Sequence, residues 1–145
     1  MKLRVTTPLA IAVEADDVRH VRAEDATGAF GIQPHHGHLV TLLAISVITW
    51  RDQAAREHHV AVAGGVLTVD AETVDVATRE AITGDDLEQL EREVLARFRR
   101  QAMTELAARA GAARIELAAI QRISDYVRGE RRYSVIREEV SDGSR

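Results

Sequence analysis

Through its first 83 residues the chain alternates apolar with other side chains in short bursts. Leu3-Arg4-Val5-Thr6, Val18-Arg19-His20-Val21-Arg22, Val60-Ala61-Val62, Val66-Leu67-Thr68-Val69 and Val74-Asp75-Val76-Ala77 follow the two-residue period that places every second side chain on one face of a strand. Turn-forming residues fall between them, at Thr7-Pro8, Asp16-Asp17, Thr27-Gly28, Arg51-Asp52-Gln53, Gly64-Gly65 and Asp70-Ala71-Glu72. Short strands spaced roughly 8–12 residues apart with such punctuation predict an antiparallel β-sandwich or barrel. The stretch 39–50 is more continuously apolar. It reads as two buried strands broken near 44–46, or as a short buried helix, which period alone does not separate. Gly64-Gly65 reads as a tight turn between strands.

After Thr83 the period lengthens. Asp85 with Glu88 three residues on has the form of a capping box, with acid placed to complement a helix dipole. Leu87, Leu90, Val94, Phe98, Ala102, Leu106 and Ala110 then recur at three- and four-residue steps. Gly111 interrupts, and Ile115, Ala119, Ile120, Ile123 and Val127 form a second stripe. Two antiparallel helices about 111 would bury both stripes against each other; an earlier break near 101–104 is the alternative. The expected fold is therefore β + α: an N-terminal antiparallel β-sandwich over 1–83, a C-terminal two-helix hairpin over 84–128, and a charged, flexible tail over 129–145.

Composition narrows the function. At 145 residues the chain is one ordinary domain or two small ones. Aromatics are only 3%, so the core has to be built from Val, Ile, Leu and Ala. With no cysteine, disulfides, iron–sulfur clusters, thiolate zinc sites and cysteine nucleophiles are excluded. A net charge of −4 argues against nucleic acid as a partner. No apolar run approaches the ~20 residues of a membrane helix, so direct membrane insertion is not expected. The N-terminus enters structure at once without signal-peptide anatomy, which points to a soluble intracellular protein. The acidic excess lies entirely in 1–83, while 84–145 is balanced and rich in arginine. Most of these arginines read as a solvated face with four-residue pairs such as Glu88–Arg92 and Glu105–Arg109. The cluster Arg128-Gly129-Glu130-Arg131-Arg132 is the better candidate for docking an acidic partner, since arginine suits bidentate carboxylate pairing.

The sharpest enzyme-like feature is His35-His36-Gly37-His38, whose imidazoles could share a metal ion. The cupin pattern would require a Glu near 42 or 43, where this chain has Leu42 and Leu43. His58-His59 would have to complete the set. A small metal-binding β-sandwich protein using His35, His36 and His38 is the alternative function. No Gly-rich phosphate loop with Lys-Ser/Thr opens a helix, and Ser46, Ser124 and Ser134 lack a nucleophile-elbow context. No catalytic, cofactor or metal set is expected, and Trp50 and Tyr126 read as packing or interface residues.

Three segments resemble a known family. Gly28-Ala29-Phe30-Gly31-Ile32-Gln33-Pro34-His35-His36 is similar to the Gly-x-Leu-Gly-Ile-x-Pro-x-His stretch of the epsilon subunit of F-type ATP synthases. Ala63-Gly64-Gly65-Val66-Leu67-Thr68-Val69 resembles that family's Gly-Gly-Ile/Val-Leu-x-Val turn. Val74-Asp75-Val76-Ala77 through Ala81-Ile82 into Asp85-Asp86-Leu87 resembles its last strand and first helix. Order and spacing agree, and the similarity runs from residue 1 to about 128.

The resemblance implies a non-catalytic rotor subunit on the cytoplasmic face of the inner membrane. Its β-sandwich would bind the gamma subunit and rest on the ring of c subunits. Its helices would fold as a hairpin or extend into the catalytic head, where their basic face meets acidic segments of the catalytic α and β subunits and restrains ATP hydrolysis. The interface candidates are Phe30, Gly31, Ile32, Pro34, His36 and His38 on the sandwich, and Arg122, Arg128, Arg131 and Arg132 on the helices. His36 matches the family histidine of the gamma-facing side, whereas His35 and Gly37-His38 stand where the pattern has Gly and then Ala-Pro. Ala29 replaces a frequent acid. Some bacterial members bind regulatory ATP through Ile/Leu-Asp-x-x-Arg-Ala; here Leu87-Glu88-Gln89-Leu90-Glu91-Arg92 aligns with it, and Glu91 in the arginine position would repel phosphate. No nucleotide is therefore expected, and the differences point to a divergent branch, such as an alternative complex carrying another ion.

Overall fold

The computed structural model describes the backbone of residues 1–142 and the side chains as far as 128. The chain divides into two compact units, Met1–Ala102 and Met103–Arg145. In the first, eight strands are hydrogen-bonded into one continuous sheet: β1 Lys2–Thr6, β2 Ile11–Ala15, β3 His20–Asp25, β4 Gly28–Ile32, β5 Leu39–Arg51, β6 Glu57–Asp70, β7 Thr73–Ala77 and β8 Ala81–Gly84. The order is β2-β1-β7-β6-β5-β3-β4, with β8 also on β6. Pairing is antiparallel except between β1 and β7.

Two long strands let one sheet make both layers. β5 and β6 pair from Leu39↔Val69 to Arg51↔Glu57, and the ladder lacks only the rung between Ala44 and Gly64. The 39–50 segment is thus one strand and not a helix, the break expected near 44–46 is reduced to the missing rung at Ala44, and Gly64-Gly65 is a bend inside a strand instead of a turn between two. Beyond the bend, 66–70 pairs with β7, while 59–62 pairs with β8. The Ser46 hydroxyl donates to the Ala44 carbonyl at 2.9 Å beside the missing rung. Gly64 and Gly65 take φ of 74° and 118°, in the range that L side chains avoid. A Cβ on Gly65 would stand 2.1 Å from the Ala77 carbonyl oxygen.

Between the layers lies the core predicted from composition. Leu3, Val5, Val21, Ile48, Val60, Val62, Leu67 and Val74 are fully buried in it. β6 is buried on both faces near its start, because Ala61 points outward and is covered by the beginning of the helical segment. There Asp86 is the N-cap, accepting from the backbone N–H groups of Glu88 (3.0 Å) and Gln89 (3.3 Å), one residue later than the capping box expected at Asp85. One turn, α1 Leu87–Gln89, leads into a π turn, Leu90–Val94, closed by the Leu95 N–H on the Leu90 carbonyl. The extra residue in that turn shifts the helix face. Leu95 joins Leu90 and Phe98 over Ala61, while Leu87 and Ala102 of the predicted stripe stay exposed. Arg97 pairs with Glu80 at 2.7 Å, tying this helix start to the β7–β8 turn.

α2 then runs Leu95–Asp142 as one helix. The β-then-α order is as expected, but the two-helix hairpin is not formed, and neither Gly111 nor 101–104 is a break. A glycine inside a helix costs only ~1 kcal/mol against Ala, too little to end one flanked by Ala, Arg, Glu and Leu. The tail expected to be flexible from 129 is helical backbone to Asp142; residues 143–145 of that call lie outside the described residues.

At the β5–β6 turn, Asp52 is buried and accepts from the backbone N–H groups of Ala54 (2.9 Å) and Arg56 (3.1 Å), from Arg56 Nε (3.0 Å) and from His58 Nε2 (3.0 Å). Trp50 stacks on the His58 ring, centroids 5.3 Å apart. The His58 hydrogen bond, with those from the turn, holds the Asp52 carboxyl down to about 2. Asp25 and Glu57 are lowered in the same sense, by the Thr27 hydroxyl and by Arg51 respectively.

Two outcomes follow. Gly65→Ala destabilises the sandwich by more than about 2 kcal/mol in urea unfolding, whereas Gly111→Ala raises helix content and stability by roughly 0.5–1 kcal/mol; a Gly111 that ended a helix would give the opposite sign. Because Asp52 has its carboxyl lowered on folding, its contribution is complete above the ordinary carboxylate range and is lost as pH falls toward about 2. Urea midpoints between pH 7 and pH 3 should therefore fall less for Asp52→Asn than for the natural chain.

Candidate functional site

At one end of the sandwich three chain segments meet: the loop 33–38 after β4, the β6–β7 turn and the N-terminus. The loop folds on itself through the His36 N–H to the Gln33 carbonyl, 3.2 Å. His35, at φ 66°, sets its Nδ1 3.1 Å from Glu72, and His38 Nδ1 lies 3.2 Å from Asp70. Glu72 also faces the N-terminal amine at 3.9 Å. Two histidines thus tie the loop to the turn, and the half-buried His36 keeps its Nδ1 2.7 Å from the Gly37 carbonyl.

This geometry separates the three imidazoles that could have shared a metal. Each ring has its own neighbour, and among the described residues no three His, Asp or Glu side chains are grouped to hold an ion. His58 and His59 do not complete the set. They lie at the far end of β5 and β6, His58 on Asp52 and the buried His59 on the Thr49 hydroxyl at 2.8 Å.

The predicted interface residues divide by burial. Pro34 and His38 are exposed on the loop. Ile32 is 0% exposed and Phe30 packs half-buried on the same core, so these two position the loop from within and Ile32 offers no surface. Gly31 is exposed, pairs with Arg22, and gives room to His20, whose Nε2 would stand 2.9 Å from a Cβ there. In the second unit Arg122 and Arg128 are exposed on α2; the side chains of Arg131 and Arg132 lie outside the described residues.

The sequence reading missed the surface beside this loop. On the outer face of the β2-β1-β7-β6-β5 layer, Val40 is 70% exposed, Leu42 72%, Ile11 56% and Val66 38%. Val66 stands opposite Leu42 on one side and Ala77 on the other. A shallow cavity of about 360 Å³ continues the strip past Arg4, Thr6, Ile11 and Asp75, where Arg4 Nε holds Asp75 at 2.8 Å. The signal was present: Val40 and Leu42 alternate with Leu39, Thr41 and Leu43 once 39–50 is taken as one strand. Its unbroken apolarity hid that alternation.

On the opposite layer a second cavity of about 320 Å³ lies under the helix start, lined by Arg22, Glu24, Ser46, Thr49, Glu91 and Arg99 among others. Both charges are present in it, with Glu91 on its wall. Glu88 is paired with Arg92, as their spacing predicted.

Comparison with known proteins agrees with this architecture. The family model described as ATP synthase, Delta/Epsilon chain, beta-sandwich domain matches residues 1–84. The ATP synthase epsilon chain 2 of Cereibacter sphaeroides is 44% identical over 92 residues, 63% of this chain and 63% of that relative's own length. The ATP synthase epsilon chain 2 of Paraburkholderia xenovorans is 33% identical over 132 residues, 90% of this chain and 95% of the relative. Among solved structures, a chain of the Euglena gracilis mitochondrial ATP synthase (OSCP/F1/c-ring) superposes with a TM-score of 0.54 at 22% identity, covering 62% of this chain and 58% of that one. A chain of the Tetrahymena thermophila mitochondrial ATP synthase central stalk and c-ring gives 0.52 at 15% identity, covering 64% and 71%. These two likenesses establish a shared fold. Matched by the family model over more than half its length and by a relative over nine-tenths of it, the chain belongs to the epsilon-subunit family of F-type ATP synthases.

Proposed function

We propose that this chain is a non-catalytic rotor subunit of an F-type ATP synthase central stalk, held peripherally on the cytoplasmic face of the inner membrane. In this reading the sandwich binds the gamma subunit and rests on the c-subunit ring, coupling the two during ion-driven ATP synthesis. The observation that carries it is the strip of Val40, Leu42, Val66 and Ile11, an apolar surface running into the loop of Pro34, His36 and His38. Exposed apolar side chains contiguous on a rigid sheet mark a docking surface, and a bent sheet closed on its own core, with an outer face left open, suits an adaptor. The printed descriptions of the two solved neighbours, which name F1, central stalk and c-ring, support the same partners. Among the described residues no helix is long and apolar enough to cross a membrane, so attachment through protein partners suits the chain.

The helical segment takes the regulatory part. Arg122 and Arg128 stand exposed on α2 and suit acidic segments of the catalytic α and β subunits, through which the helix would restrain ATP hydrolysis. The place to separate the two roles is after Ala102 and not at 84, because Leu90, Leu95 and Phe98 complete the cover over Ala61.

Two measurements test this. The paired change Val40→Asp and Leu42→Asp, on exposed side chains, leaves the circular dichroism spectrum intact and weakens capture of gamma by tenfold or more; undiminished capture removes the strip from the reading. A chain ending at Ala102 still assembles with gamma and the c ring but releases any restraint on hydrolysis, and unchanged hydrolysis removes the regulatory role.

A further inference from the structure

As far as residue 128, α2 keeps its large apolar side chains in the second unit exposed, Leu117 at 57% and Ile120 at 63%. Along 103–120 they fall at alternating three- and four-residue steps: Met103, Leu106, Ala110, Ala113, Leu117 and Ile120. This is the spacing of a coiled-coil seam, here about 27 Å long. Read by size it is a palindrome: large, large, small, small, large, large. Two copies laid antiparallel with Ala110 facing Ala113 of the second copy also set Leu106 against Leu117 and Met103 against Ile120. Two-fold symmetry repeats every layer, the self-complementary condition of an isologous interface.

Charge chooses the direction. Arg109 and Glu116 flank the seam on one side, one heptad apart. Antiparallel chains bring Arg109 of each copy to Glu116 of the other, two attractive contacts. Parallel chains would face Arg109 with Arg114. The unbroken helix chooses the occupant. Folded back at 111, one chain would close Leu106 on Leu117 within itself. With the helix continuous through Gly111, where a Cβ would meet nothing within 4 Å, those layers are left for a second chain. We infer that the free subunit forms an antiparallel homodimer through this seam, exchanging between two chains the contacts a hairpin would make within one.

Sedimentation equilibrium of the purified full-length chain tests it, in the absence of any ATP synthase partner, so failure here is separate from failure of rotor docking. The expected result is a concentration-dependent dimer. Arg109→Glu alone and Glu116→Arg alone each weaken it about tenfold by replacing attraction with repulsion at both symmetric contacts. The double variant R109E/E116R returns it to the natural affinity. All three variants keep their helix content by circular dichroism. A chain monomeric at every concentration, straight or folded back, overturns the inference. A dimer that ignores the single variants, or that the double variant does not restore, overturns the register.

Discussion

Everything in the sandwich depends on the bend that β5 and β6 make together at Ala44 and Gly64. Both strands are long enough to serve two layers, and they do so only because the ladder drops one rung and resumes in the same register. Keeping the register matters because side chains alternate with a period of two: a one-residue slip would turn Ile48, Val60 and Val62 out of the core and Ala61 into it. Two glycines at positive φ make the bend, and the Ala77 carbonyl against Gly65 leaves no space for a side chain. The shared hydrogen bonds make the two layers one sheet, so neither layer can shift without straining the ladder they share.

The helix start is part of that sheet's packing. Ala61, small and fully buried, allows Leu90, Leu95 and Phe98 to lie close on the outer face of β6. The π turn brings Leu95 to that face by adding one residue to the helical repeat. Val94, as the predicted stripe requires, packs partly buried beside them, so the contact gains Leu95 without losing Val94. The Arg97–Glu80 pair fastens the same turn from the other side. Burial and pairing therefore extend the first compact unit to Ala102, well past residue 84 where the family match stops.

The exposed strip and the histidine loop occupy neighbouring parts of the same layer, and the chain has used different means to hold each. Val40 and Leu42 are fixed by strand pairing, which leaves their side chains no choice of direction. The loop 33–38 has no such ladder. His35 and His38 reach Glu72 and Asp70, linking it to the next turn through side chains. The three imidazoles each meet a different neighbour: His35 Glu72, His38 Asp70 and His36 the Gly37 carbonyl.

The composition of the core, the order of β before α, the family and the residues at the loop were all legible along the chain, because each rests on local period, turn chemistry or short motifs. Alternation in Leu3-Arg4-Val5 and Val74-Asp75-Val76 is enough to mark buried faces wherever the strand ends are near. Tertiary structure decided what lies in long-range pairing. That 39–50 is one strand, that Gly64-Gly65 bends instead of turning, and that Leu95 joins Leu90 and Val94 on the sheet all follow from partners distant in the chain. So does the exposure of Val40 and Leu42, since an apolar strand shows its outer face only when no layer covers it. The helix through Gly111 marks the same limit from the other side: a glycine signals a break by its local cost, and ~1 kcal/mol is outweighed where good helix formers continue on both sides.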